Sequence, residues 1–128
     1  MTPEIIVRLK ITSEVHPPEF ISEVLGVMCD KGWQIGEQRS KTIIKERVHG
    51  WILGSGLEKS ASLEEQIKAL LQRIAPIREK VRASLAGDSL EISCVIYSES
   101  APALNFDSWL ISEMAVLGAS LDIDLYVG

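Results

Sequence analysis

The sequence predicts an α+β domain, and three observations predict it. Residues 121–127 alternate apolar and polar side chains without a break, and the same alternation runs through residues 4–11. Successive strand side chains point to opposite faces, so both segments read as strands with one packed and one polar face. Between them, Ser62-Leu63-Glu64-Glu65 opens a long run of apolar residues at helical spacing, which adds a helix to cover the packed face.

In residues 4–11, Ile5, Val7, Leu9 and Ile11 share one face, and Glu4, Ile6, Arg8 and Lys10 share the other. Pro17 and Pro18 then open a short helix, since proline is tolerated where first-turn amides have no partner. Phe20, Ile21, Val24 and Leu25 form its apolar stripe, and Gly26 is a left-handed stop. Asp30-Lys31-Gly32 reads as a turn, and Gly36 breaks whatever Trp33 begins. Residues 39–48 read as a strand. After a tight turn or bulge at Gly50, a second strand passes through Trp51, Ile52 and Leu53.

Ser62 is placed to accept from a free helical amide, with Glu65 reaching back to the serine amide. Leu63, Ile67, Leu70, Leu71, Ile74, Ile77, Val81 and Leu85 then keep helical spacing up to Gly87. Pro76 interrupts the run, so one kinked helix or two short ones are expected. Leu90, Ile92, Cys94 and Ile96 form the inward face of another strand, and Glu91, Ser93, Val95 and Tyr97 its outward face. A loop with Pro102 leads to Asp107, an N-cap, with Phe106 and Ile111 spaced as a hydrophobic staple. That helix runs to Gly118. The closing strand turns Leu121, Ile123, Leu125 and Val127 inward and Asp122, Asp124 and Tyr126 outward.

The order is β-α-β-β-α-β-α-β. Its first six elements match the ferredoxin-like pattern, in which helices cover one face of a mainly antiparallel sheet, and the added α-β unit extends that sheet. Residues 1–128 are expected to form a single domain.

Apolar residues make up 46% of the 128-residue chain, enough for a full core without disulfides or metals. The net charge of −5 argues against nucleic acid as a partner, because neutralising phosphates takes clustered Lys and Arg. Cys29 and Cys94 suit a reduced, cytoplasmic protein. No basic segment followed by an apolar stretch marks a signal peptide, and no apolar run approaches the ~20 residues of a membrane span.

Chemical motifs are scarce. Leu53-Gly54-Ser55-Gly56-Leu57-Glu58-Lys59-Ser60 comes nearest to a phosphate loop, but Glu58 stands where the glycine before Lys-Ser belongs. Gly54-Ser55-Gly56 also lacks the spacing of a nucleophile elbow. His16 and His49 have no partner at metal spacing, and neither cysteine belongs to a Cys-x-x-Cys pair. Cys94, between Ile92 and Ile96, reads as inert core. Catalytic, cofactor and metal residues are therefore expected to be none.

Three groups carry two readings each. Asp122 and Asp124 lie about 6.6 Å apart on one strand face; they are either solvated carboxylates or a cation or acid-base pair. Arg39, Lys41, Lys45 and Arg47 would share a strand face, as edge protection or as an anion-binding strip. Trp51 and Trp109 fit core positions, whereas Trp33 suits a surface anchor.

Several segments carry a family likeness: Leu25-Gly26-Val27, Trp33 with Gly36, Gly50-Trp51-Ile52-Leu53-Gly54-Ser55, residues 66–76, and Leu117-Gly118-Ala119-Ser120-Leu121-Asp122-Ile123-Asp124-Leu125-Tyr126. Together they resemble the bacterial family catalogued as domain of unknown function 4279. The Trp-x-Leu and Asp-Ile-Asp-Leu-Tyr elements are its distinctive parts, and Met28-Cys29 departs from its usual Pro-Thr. The resemblance implies an α+β domain and brings no assigned activity.

The resulting expectation is a non-catalytic protein-binding module, of a kind that would suit an immunity-type inhibitor by analogy. Its candidate partner-binding residues are Arg8, Lys10, Trp33, Tyr97, Asp122, Asp124 and Tyr126, beside Glu91 and Ser93 on the polar sheet face. Tyrosine supplies rigid area with a polar end, which suits recognition of a protein partner. The alternatives are a self-associating structural domain, including a homodimer, and a metal-dependent enzyme using Asp122 and Asp124.

Overall fold

A computed structural model describes residues 2–128. The chain runs β1 (Glu4–Ser13), α1 (Pro18–Leu25), β2 (Lys31–Trp33), β3 (His49–Gly54), α2 (Leu63–Ile74), α3 (Arg78–Ser84), β4 (Ser89–Ser98), α4 (Ser108–Leu117) and β5 (Ser120–Val127). The strands form one sheet in the order β2-β3-β1-β4-β5. All neighbours are antiparallel except β4 and β5, which the α4 crossover makes parallel. The chain is an α+β domain built on a mostly antiparallel open sheet.

The alternation in β1 and β4 decides which face is sealed. Ile5, Val7, Leu9 and Ile11 of β1 and Leu90, Ile92, Cys94 and Ile96 of β4 are all buried. They form one cluster with Ile21 and Leu25 of α1, Ile67, Leu70 and Ile74 of α2, Val81 of α3, and Leu110, Met114 and Leu117 of α4. Trp51 is buried in the same cluster and donates its indole N–H to Ser22 Oγ at 2.9 Å, which ties β3 to α1.

Local signals for the helices are obeyed with two changes of detail. Ser62 Oγ accepts from the Glu65 amide at 3.1 Å, but the Glu65 carboxylate accepts from the Ser62 hydroxyl rather than from its amide. Pro76 falls in a 3₁₀ turn, Ala75–Ile77, that separates α2 from α3. Asp107 caps α4 by accepting from Leu110 N at 2.9 Å, and Gly26 and Gly118 end their helices in the left-handed conformation.

Gln66 was not singled out by pattern. Its buried side chain donates to the carbonyls of Ile5 at 2.7 Å and Ala61 at 3.1 Å and accepts from Ser55 at 3.2 Å. One amide thus satisfies the loop before α2 and fastens it to β1. His16 Nδ1 lies 2.8 Å from Asp88 Oδ2, joining the loop after β1 to the loop before β4.

Several expectations are corrected. Residues 39–48 are not a strand: the segment folds back on itself, with Arg39 N donating to Ile44 O, Glu46 N to Glu37 O, and a single bridge between Gln38 and Lys45. Ile43, at the tip of this fold-back, is 93% exposed. Arg39, Lys41, Lys45 and Arg47 therefore form no strip along one strand. Asp30-Lys31-Gly32 is not a turn, because Lys31–Trp33 pairs with β3. Trp109 is 42% exposed and lies under the Lys68 ammonium, 5.8 Å from its ring centroid. Phe20 leaves the buried stripe and stacks on His16 at 4.6 Å, while Ile111 is exposed rather than stapled into the core.

Gly50 is neither turn nor bulge. It sits inside β3 opposite Trp33, whose indole lies flat over it. A Cβ at position 50 would come within 2.1 Å of that ring, so only glycine admits it. Gly50→Ala is expected to cost about 1–3 kcal/mol by overpacking. Gly87→Ala, where a Cβ meets nothing within 4 Å, should change stability by less than about 0.5 kcal/mol. Urea denaturation of the two variants checks the contrast.

Candidate functional site

Residues opposite one another in neighbouring strands share a face, so the register maps the uncovered side of the sheet. At one end lies a row from Trp33 through Gly50 and Thr12 to Ser89. The next row holds Lys31, Ile52, Lys10, Glu91 and Ser120, followed by Gly54, Arg8, Ser93 and Asp122. Ile6, Val95 and Asp124 come next, and Glu4, Tyr97 and Tyr126 close the far end. Arg8, Lys10, Trp33, Tyr97, Asp122, Asp124 and Tyr126 thus all fall on this one face.

Aromatic side chains mark diagonally opposite corners. Trp33 is half-buried, held by Gly50 beneath it and by a 3.0 Å hydrogen bond from its indole N–H to Val48 O. It is a fixed platform rather than a free surface anchor. At the other corner Tyr97 and Tyr126 stack with ring centroids 5.1 Å apart, and both are exposed. Between the corners, the half-buried Ile6 and Val95 supply the apolar centre, whereas Ile52 is buried beside Trp33 and the following loop. Ile52 and Val95, together with Lys31, are members of the face that strand alternation alone did not mark as functional. Lys31 was hidden by the turn reading of its own segment.

Charge is segregated across the strands. Six charges are set apart by strand, Lys31, Lys10 and Arg8 on β2 and β1 and Glu91, Asp122 and Asp124 on β4 and β5, while Glu4 at the end of β1 is an acidic exception. None of the six is in a salt bridge among the described residues. Lys10 stands opposite Glu91 in the register, yet its ammonium lies 5.9 Å from the Trp33 ring centroid. A nearby loop carboxylate, Glu46, is occupied by Arg39 at 2.8 Å. That guanidinium holds the Glu46 carboxyl below the usual range. The loop and strands frame a depression of about 480 Å³ whose lining includes Arg8, Lys10, Lys31, Trp33 and Glu46.

On the acidic side, partial burial pushes the Glu91 carboxyl above its usual range, and the neighbouring Asp122 and then Asp124 add to the rise. The same burial logic applies more strongly to Cys94, whose thiol is pushed up to about 12. Among the described residues, no group of three or more His, Cys, Asp or Glu side chains is placed to hold a metal ion. A second cavity, about 680 Å³, opens at the end of the sheet beside Ile5, Leu57, Ile96 and Leu104. Its polar lining comprises Glu58, Glu64, Glu65, Ser60 and Ser62, and the Ser62 hydroxyl is already engaged in capping α2. Among the described residues, no helix is long and apolar enough to cross a membrane.

Residues 3–128 match the model of a family described as a domain of unknown function, DUF4279, and the chain belongs to that family. Neither the curated proteins nor the solved structures gave a match.

Two outcomes follow from the ionisable groups. Because the fold favours protonated Glu91, this residue binds more protons folded than unfolded between the ordinary carboxylate range and its raised value. Stability from this group is therefore present at acid pH and lost as pH rises through that window. Glu91→Gln should raise the melting temperature at neutral pH, with the gain vanishing below the ordinary carboxylate range. For the thiols, iodoacetamide at pH 8 should leave Cys94 unmodified in the folded protein and alkylate it after denaturation, read by mass spectrometry.

Proposed function

We propose that this DUF4279 protein is a non-catalytic protein-binding module and that the uncovered sheet face takes its partner. The observation that carries the reading is the composition of that face: half-buried apolar side chains at its centre, aromatic corners and six charges that form no salt bridge among the described residues. Protein interfaces combine an apolar centre with a polar rim in this way, and tyrosine and tryptophan serve as their anchors. The strands also lower the ordering cost of binding, because the backbone of these groups is already held by the ladder.

The chemistry on offer supports recognition over catalysis. Cys94 is sealed beneath the opposite face with its thiol protonated, and Asp122 and Asp124 have Glu91 as their acidic neighbour. An immunity-type role, covering a toxin's surface, is the biological form this reading takes by analogy, and it needs docking alone. The order β2-β3-β1-β4 with every neighbour antiparallel supports a ferredoxin-like reading of the first four strands, with α4 and β5 as the added unit.

Capture from a lysate of the native host tests the docking face. Wild-type protein should retain a partner that Asp122→Lys/Asp124→Lys loses by at least about tenfold, since misplaced charge at an interface costs more than 1 kcal/mol. Retention unchanged by the double substitution removes this face from the reading.

A further inference from the structure

The uncovered face is complementary to itself in one orientation. Lys31, Lys10 and Arg8 occupy the β2-β3-β1 side and Glu91, Asp122 and Asp124 the β4-β5 side, with Glu4 at the end of β1 an acidic exception. A twofold axis parallel to the strands, lying above the seam between β1 and β4, turns a second copy over and exchanges its two sides. Each row of the register keeps its height along the strands under that rotation. Lys10 then meets Glu91 of the second copy, Arg8 comes between Ser93 and Asp122 of the second copy, and Ile6 meets its Val95. A twofold axis perpendicular to the strands would instead set basic side on basic side, at a cost in like-charge repulsion.

We infer that the partner of this face is a second copy of the chain, docked face to face about an axis parallel to the strands. The inference rests on the reading of the face as a docking surface and adds the identity of the occupant. Self-complementarity is the condition a twofold interface must meet, since each patch contacts its own image. Here the condition is met twice, by opposite charges at the flanks and by apolar side chains at the axis. Ile6 and Val95 are neighbours in the register and half-covered within one copy, so they sit where the axis passes. Under this axis β3, β1, β4 and β5 overlap their counterparts, and four strands of this spacing and length offer about 450 Å² per copy, or about 900 Å² in total. That is the size of a weak, transient interface, which fits a reversible dimer whose strength depends on its charges.

Charge exchange between copies tests the arrangement. Arg8→Glu/Lys10→Glu replaces the basic residues of β1 with acidic ones, and Asp122→Lys/Asp124→Lys replaces the acidic residues of β5 with basic ones. Sedimentation of the wild type should give twice the 14.1 kDa chain mass at low salt. Near 0.5 M salt, where screening acts within about 4 Å, it should shift towards the monomer. Each variant alone should weaken the dimer at least tenfold, and an equimolar mixture of the two should restore a 1:1 dimer. Restoration by mixing shows that both variants are folded. Milder Arg8→Ser/Lys10→Ser, with melting temperatures recorded, serves where a reversed variant does not fold.

Three results overturn the inference: a wild type that is monomeric at every concentration, single variants that still dimerise fully at low salt, or folded variants whose mixture remains monomeric. A monomeric wild type that captures a foreign protein through Asp122 and Asp124 ends the second-copy proposal and leaves the docking reading standing. A dimer indifferent to charge at this face, with foreign capture equally indifferent, ends both.

Discussion

Strand β1 is paired along both edges, by β3 on one side and β4 on the other, and each of its inward side chains is sealed under the helices. A strand held this way cannot slip by one residue without carrying its whole apolar set to the open side. Its register consequently decides the side on which every other strand presents its residues. Gln66 reinforces that register, because its amide reaches the Ile5 carbonyl from the covering helix. A buried amide that satisfies several groups at once favours a single arrangement over near alternatives.

The two faces of the sheet divide the labour as a consequence. One face holds the core and hides the groups with chemical potential, Cys94 above all. The other keeps its charges in the open, where they cost little to maintain while solvated and gain in strength when water is excluded. The separation of signs across the strands matters more than their number. Mixed signs would pair within one copy and leave a neutral surface. Here Lys10 turns towards Trp33 although Glu91 lies opposite it, and the two form no salt bridge.

The edges of the sheet are unlike each other. β2 has only three residues, and Trp33 lies across Gly50 with the folded-back loop beside it, which shields that edge. β5 is longer and its inward side is less covered: Leu121 and Ile123 pack against the core, whereas Leu125 and Val127 are 42% and 53% exposed. The cause is position, since a strand at the edge has a neighbour on one flank only. Partial burial of Glu91 is the main reason its carboxyl is displaced upward, and Asp122 and Asp124 on this neighbouring strand add to it.

Much of this was legible in the sequence, and the reason is that the legible parts are local. Period-two alternation set the faces of β1, β4 and β5. Capping residues placed the starts of α2 and α4, glycines ended α1 and α4, and Pro76 parted α2 from α3. From the alternation alone, Arg8, Lys10, Tyr97, Asp122, Asp124 and Tyr126 could be put on outward faces. The failures all involve partners distant along the chain. Residues 39–48 carry strand-forming side chains but find no edge to pair with, so they close on themselves. Gly50 looks like a breaker until Trp33 is laid over it, and Trp109 looks like core until α4 is docked against α2. The uneven charge of the sheet face is of the same kind. The strands other than β3 contribute charges that mean little alone, and only the order β2-β3-β1-β4-β5 gathers the basic residues on one side and, Glu4 apart, the acidic ones on the other.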